Sequence, residues 1–282
     1  MAESPCKIER IVRGTPTSDG AGVRLTRLIG GAELPDLDPF LLLDQFGTEH
    51  AADYIGGFPS HPHRGFETVT YMIDGRMRHR DNRGHEGLLG PGSVQWMTAG
   101  RGIVHSEMPE QEEGLMRGFQ LWVNLAAKDK MTDPRYQEIP AEEIPIAEVA
   151  PGTRVKVIAG KVAATVGPII DVGTEPLYLD VVMQAGAGFE HRVPAGHQAM
   201  LVTYEGRVLV GADADPQTLQ KLELGILQRG ELVQVRAAQE PARMLLIAGR
   251  PLGEPIARYG PFVMNTRAQL QQAFEDFGAG RL

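Results

Sequence analysis

The chain has 282 residues, 42% hydrophobic and 23% charged, which is enough apolar material for a packed core and argues against wholesale disorder. A net charge of −8 disfavours direct nucleic-acid binding, and the single cysteine, Cys6, excludes an internal disulfide and any cysteine-rich zinc site. No stretch approaches a membrane span and the N-terminal MAESPCKIERIVRG lacks a long apolar run, so the expectation is a cytoplasmic monomer with no membrane association.

With 34 glycines, 20 prolines and only 6% aromatic residues, the composition favours short strands joined by tight turns over long helices. In chain order, Val69-Thr-Tyr-Met-Ile73 is β-branched and apolar and runs into Asp74-Gly75, a hairpin dipeptide, after which Arg76 to Arg80 alternates around Met77. Gly90-Pro91-Gly92 turns the chain into Ser93 to Met97, and Phe119 to Leu125 alternates as a further strand. Residues 128–151 carry Pro134, Pro140, Pro145 and Pro151 with several acids and read as a connecting segment. Strand signals then resume at Val155–Ile158, Leu177–Met183, Met200–Tyr204, Arg207–Val210, Glu231–Val235 and Met244–Ile247. Asn265 to Phe277 has helix start signals and stops at Gly278. The expected fold is therefore all-β: two tandem antiparallel β-barrels with a short C-terminal helix. Residues 1–127 form the first, 128–151 the connection and 152–282 the second, with the helix packing back on the N-terminal domain.

A weak internal repeat supports the tandem reading. MIDGRM around Gly75 is similar to TYEGRV around Gly206, and GPGSVQW at Gly92 to LQRGELVQV at Gly230. These alignments set Arg192 and Pro194 against His61 and His63, and Arg243 and Leu245 against His105 and Glu107. On that reading the second copy holds no metal.

The chemistry-bearing feature is the pair His61-Pro-His63 and His105-Ser-Glu107. On a strand, residues i and i+2 share a face, so two such pairs on neighbouring strands converge on one point. Three neutral nitrogens and one anionic oxygen suit a divalent Fe, Mn, Ni, Cu or Zn ion. On an octahedral metal these four ligands leave two adjacent positions open. His79 and His85 read as solvated loop positions, His191 and His197 as structural, and Met72, Met97, Met108 and Trp96 as barrel core. The glycine-rich stretches lack the strand-to-helix context that cradles phosphates.

The runs HPHRGFETVTYMIDGRMRHRD, GPGSVQWMTAGRGIVHSEMPE, FQLWVNL and GPFVMNT, with the earlier Asp38-Pro-Phe-Leu-Leu-Leu-Asp44, resemble the pirin family of bicupins. The resemblance implies two cupin barrels, the first holding one mononuclear iron as Fe(II) through His61, His63, His105 and Glu107. It also implies either quercetin 2,3-dioxygenase activity on a small aromatic, flavonol-like substrate with O2, or an iron-dependent regulatory role through a protein partner. Most cupins use a glutamate soon after the HxH pair as the third ligand. Glu67 occupies that place here, and the pirin pattern makes it a neighbour that fixes the tautomer of a ligand imidazole. Glu107 is the expected base for the substrate hydroxyl.

Overall fold

The computed structural model describes residues 5–228, 230 and 232–282. It is built of β-strands, and Arg267–Gly278 is the one α-helix among those residues. None of its helices is long and apolar enough to cross a membrane. The chain divides into two compact units, one of residues 16–141 with 252–282, the other of residues up to Thr15 with 142–251.

This division corrects the expected connection over 128–151. Arg135–Ile139 pairs antiparallel with Val94–Thr98 in the first unit, and Ile146–Ala150 pairs with Thr153–Ala159 in the second. The four prolines of the segment bracket these two strands, one at each end, where a missing N–H removes no ladder bond. Prolines that read as linker punctuation are strand boundaries. At the other end of the chain, Ile8–Arg13 pairs with Glu223–Leu227, so the N-terminal strand belongs to the second unit.

In the first unit a seven-stranded sheet runs in the order Arg135–Ile139, Val94–Thr98, Phe66–Asp74, Met116–Asn124, Phe40–Thr48, Val23–Ile29, Thr15–Asp19. A four-stranded sheet runs Phe58–His63, Ile103–Pro109, Met77–Asp81, Glu86–Leu89. Gly75 closes the Asp74 hairpin at φ +83, where a side chain would be strained and would meet Gln111.

The second unit repeats both sheets in the same order. Its central strands are Gln198–Glu205 and Ala242–Gly249, and its smaller sheet runs Gly188–Arg192, Leu232–Ala237, Val208–Val210, Gln217–Leu219. The match of Gly75 to Gly206 therefore holds, since each follows the corresponding central strand. The match of Gly92 to Gly230 does not. Glu223–Leu227 takes the place of Val94–Thr98, and the residue just before it, Leu222, has the positive φ (62°) of a turn position. The strand corresponding to Ile103–Pro109 is thus Leu232–Ala237, not the one holding Arg243 and Leu245. Its Val233, Val235 and Ala237 are buried in an aliphatic cluster with Leu179, Val181 and Phe189. Of the strand expected from Glu231, that first residue lies outside the described residues.

The C-terminal segment 252–282 completes the first unit. The helix starts at Thr266, whose side chain accepts from the Gln269 N–H in a reciprocal capping box. Asp276 on the helix pairs with the buried guanidinium of Arg64 at 2.8 Å. Arg64 directly follows His63, so this ion pair anchors the helix beside the strand Phe58–His63. Lys130, 1% exposed, donates to the carbonyls of Gly65 and Val263 and to Asn124 Oδ1 at 2.6–3.1 Å, fixing the same junction. Gly65 sits there at φ +88, and a Cβ on it would lie 1.9 Å from the Val263 carbonyl oxygen. Only glycine fits that contact.

Hydrogen bonds from Arg64, Arg281 and Gln272 hold the Asp276 carboxyl well below the usual carboxylate range. A depressed folded pKa means stability that is present above the unfolded pKa of about 3.9 and lost as pH falls through the folded value. Against Asp276→Asn, the unmodified protein should show a stability advantage that is flat above about pH 5 and shrinks below about pH 4. Urea midpoints of both proteins across that range check this; a gap that stays constant to pH 3 contradicts it.

Candidate metal centre

The strand Phe58–His63 carries His61 and His63, and the adjacent Ile103–Pro109 carries His105 and Glu107. Register sets His105 directly opposite His61 and Ile103 opposite His63, which turns all four functional side chains to one face. The burial pattern agrees, with Ile103, His105 and Glu107 buried and the residues between them less so. A bulge between His105 and Glu107 offsets the carboxylate from simple pairing.

The three imidazoles converge. Their ring centroids lie 4.4–4.9 Å apart, and one nitrogen from each falls within 4.8 Å of the others. His61 Nδ1 lies 2.8 Å from the Pro59 carbonyl oxygen, which fixes the proton there and turns the Nε2 lone pair to the cluster. His61 Nε2 and His63 Nε2 stand 3.0 Å apart, the spacing of neighbouring corners of an octahedron with ligand bonds of about 2.1 Å. His105 Nε2 is buried with no hydrogen-bond partner. Burial, with the neighbouring imidazoles, holds His63 and His105 well below the ordinary histidine pKa, so both rings are neutral, as ligands must be. Close neutral nitrogens and an orphaned buried nitrogen fit a metal ion, and among the described residues this is the cluster that could hold one.

Glu107 lies outside the tightest cluster but in the same cavity wall. Its Oε1 is 3.0 Å from Thr70 Oγ1, which in turn is 2.7 Å from Gln120 Oε1. A hydroxyl has one proton, so the consistent arrangement turns the Gln120 amide to donate to Thr70, which donates to Glu107. Burial raises the Glu107 carboxyl above its ordinary value, while the nearby His61 and Thr70 pull it back down.

Glu67 does not join this group. Thr70 faces Glu107, and residue 67, three positions away on a strand of period two, faces the other side of the sheet. There Glu67 accepts from Thr98 Oγ1 at 2.7 Å. The expectation that it orients a ligand imidazole is corrected.

His79 is the side chain that meets His105, although its arginine- and glycine-rich surroundings predict a solvated loop position. It is fully buried, opposite Glu107 on the neighbouring strand Met77–Asp81, with its Nδ1 3.3 Å from His105 Nδ1. Burial pushes its pKa down to about 4. Behind it, Tyr136 packs edge-on at 4.9 Å and stacks on His85 at 4.2 Å, and His85 Nε2 lies 3.1 Å from Glu138 Oε1. The available signal was parity: Met77, His79 and Asp81 alternate with Arg78 and Arg80, so His79 shares the face of buried Met77. His197 and His191 lie apart from the centre; His197 bonds the Glu175 carbonyl, and His191 stacks near Phe189.

A cavity of about 370 Å³ opens between the histidine wall and the inner face of the larger sheet. That face presents Leu42, Asp44, Gln120 and Trp122, and the His63 ring meets Trp122 edge-on at 5.2 Å.

Residues that orient a ligand histidine typically contribute ten- to a hundredfold to metal affinity. His79→Leu should lower affinity for a divalent transition metal by roughly that factor, read by competition with a chelator. Unchanged affinity would show that His79 is packing alone.

Residues 22–123 match the Pirin sequence profile and residues 178–282 the Pirin C-terminal cupin domain. A pirin-like protein of Caulobacter vibrioides is 56% identical over 273 residues, covering 96% of this chain and 97% of its own length. Human pirin is 44% identical over 274 residues, covering 96% and 92%. A crystal structure of quercetin 2,3-dioxygenase from Acinetobacter baumannii superposes with a TM-score of 0.89 at 36% identity, covering 99% of this chain and 98% of that one.

Proposed function

Starting from a chain that belongs to the pirin family, we propose that the first unit is an Fe(II)-dependent dioxygenase centre that cleaves flavonol-like substrates with O2. His61, His63 and His105 hold the ion, and Glu107 supplies the fourth donor and the base. The single observation behind this reading is the convergence of three imidazoles on a cavity large enough for a small aromatic molecule. The resemblance in sequence and fold to a quercetin 2,3-dioxygenase supports the choice of reaction.

A divalent ion held by these residues would supply Lewis acidity, lowering the pKa of a substrate hydroxyl and disposing the substrate to react with O2. The residues of the chain do the rest. Glu107, on the same inner face as His105, accepts the hydroxyl proton. Its burial makes it a better base than a solvated carboxylate, and the Thr70 hydroxyl holds one of its oxygens in place. Trp122, packed against His63 and tilted on Phe66 at 4.4 Å, offers an apolar surface for the substrate rings. Leu25, Leu42 and Phe46 on the cavity lining keep water away from the reacting end.

Glu107→Gln keeps an oxygen donor and removes the base. At equal iron occupancy, turnover of quercetin, measured as stoichiometric oxygen uptake, should fall by roughly two to four orders of magnitude. An unaltered rate in the fully loaded variant removes Glu107 as the base. No turnover in the unmodified iron-loaded protein overturns the enzymatic reading and leaves a metal-dependent regulatory protein in its place.

A further inference from the structure

The cavity wall facing the histidines carries two guanidinium groups in different circumstances. Arg27 is matched: its Nε and Nη2 bond the two oxygens of Asp44 at 2.9 and 2.7 Å, and Nη2 also reaches Asp19 at 3.2 Å. Arg258 is not. It lies on the hairpin strand Ala257–Tyr259, and Nη1 donates to the Leu41 carbonyl at 2.8 Å. Its guanidinium sits 4.9 Å from the centre of the Trp122 ring. Among the described residues it has no ion pair with a carboxylate.

The hairpin is held in register rather than loosely draped. Arg258 opposes Val263 across it, and the Val263 N–H donates to the Arg64 carbonyl at 3.0 Å, one residue from His63. Gly260 and Pro261 from the same turn also line the cavity. Arg258 is therefore a positioned, half-buried cation; burial and the neighbouring Arg27 disfavour its charge, while the carboxylates of Asp44, Asp36 and Asp19 in part offset them. None of those carboxylates is ion-paired with it among the described residues, so an anion bonded directly to the guanidinium would offset more of the cost of burial. It already gives one donor to a backbone carbonyl and one face to an indole, and the rest of its planar fork remains to be matched. A guanidinium fork matches a carboxylate by two parallel hydrogen bonds, which a hydroxyl or a carbonyl cannot reproduce.

Trp122 connects this group to the metal centre. The indole meets the His63 ring at 5.2 Å and the Arg258 guanidinium at 4.9 Å, so the cation stands one indole away from a ligand imidazole. A flat conjugated molecule lying on Trp122 with one end at the histidines would bring its other end to Arg258. We propose that Arg258 and Trp122 form a carboxylate subsite, and that the preferred substrates are planar aromatic molecules bearing a carboxylate at the end remote from the metal-chelating oxygens. This inference rests on the reading of the cavity as a substrate pocket and narrows the substrate class beyond neutral flavonols.

The test uses two probes that differ in one group, 3-hydroxyflavone and its 4′-carboxylate, with binding followed without oxygen by tryptophan fluorescence on metal-free and Zn-loaded protein. The unmodified protein should bind the carboxylate form roughly tenfold or more tighter, the range of a charge-assisted hydrogen-bonded pair. Arg258→Met should erase that preference while changing affinity for the neutral probe by less than about threefold, and Arg258→Lys should restore only part of it. Equal binding of the two probes by the unmodified protein overturns the proposal. So does equal weakening of both probes in the Met variant, which would make Arg258 a prop for Trp122. If the Met variant does not fold, the ratio in the unmodified protein and its change in Arg258→Lys still decide. Binding without oxygen is independent of turnover. A carboxylate preference with no oxygen uptake therefore retains the subsite and removes the dioxygenase reading, and turnover without preference does the reverse.

Discussion

Three imidazole nitrogens brought together inside a protein need something to share. Each neutral ring has one lone pair and one N–H. At the 3.0 Å between His61 Nε2 and His63 Nε2, two lone pairs facing each other repel unless a cation or a proton lies between them. Protonation is suppressed by burial, which holds His63 and His105 well below the ordinary histidine range. A divalent ion would satisfy all three nitrogens at once. The surrounding structure is arranged around that one constraint. Register places His105 opposite His61, and the Pro59 carbonyl fixes the tautomer of His61. Arg64, Lys130 and Gly65 clamp the C-terminal segment behind His63.

The larger sheet supplies the other half of the site. Its inner face holds Trp122, Gln120 and Asp44 on adjoining strands, and the side-chain period of two aims all three into the cavity. The same period explains why two glutamates so near the ligands have different fates. Glu107 is an even number of residues from His105 and faces the centre. Glu67 is an odd number from Thr70 and faces away, toward Thr98. The second unit has the same sheet order, but apolar side chains occupy the corresponding strand and fill its interior. One fold therefore appears twice, once as a site and once as a packed core.

Much of this was legible in the sequence. The i, i+2 pairs pointed to the two strands whose histidines converge, because the strand period turns spacing into facing. Most strands announced themselves by β-branched runs ending at glycine turns. The prolines of 128–151 looked like linker because composition does not tell a proline at a strand end from one in a loop. His79 looked solvated because arginines flank it, yet on a half-buried strand those neighbours point outward and shelter it. The second glycine match failed because Leu222 adopts the turn conformation that glycine holds in the first copy. Arg258 was invisible for another reason: it lies far along the chain from the histidines and enters the cavity only through the C-terminal hairpin.

Whether the three imidazoles hold an ion decides the chemistry of the first unit. Anomalous scattering at the iron edge from crystals of the iron-loaded protein locates it directly. One peak per chain is predicted, within about 2.0–2.3 Å of the Nε2 atoms of His61, His63 and His105. No peak is predicted in the second unit. A peak elsewhere, or a loaded structure with any of these three imidazoles turned away from the metal, would contradict the central claim.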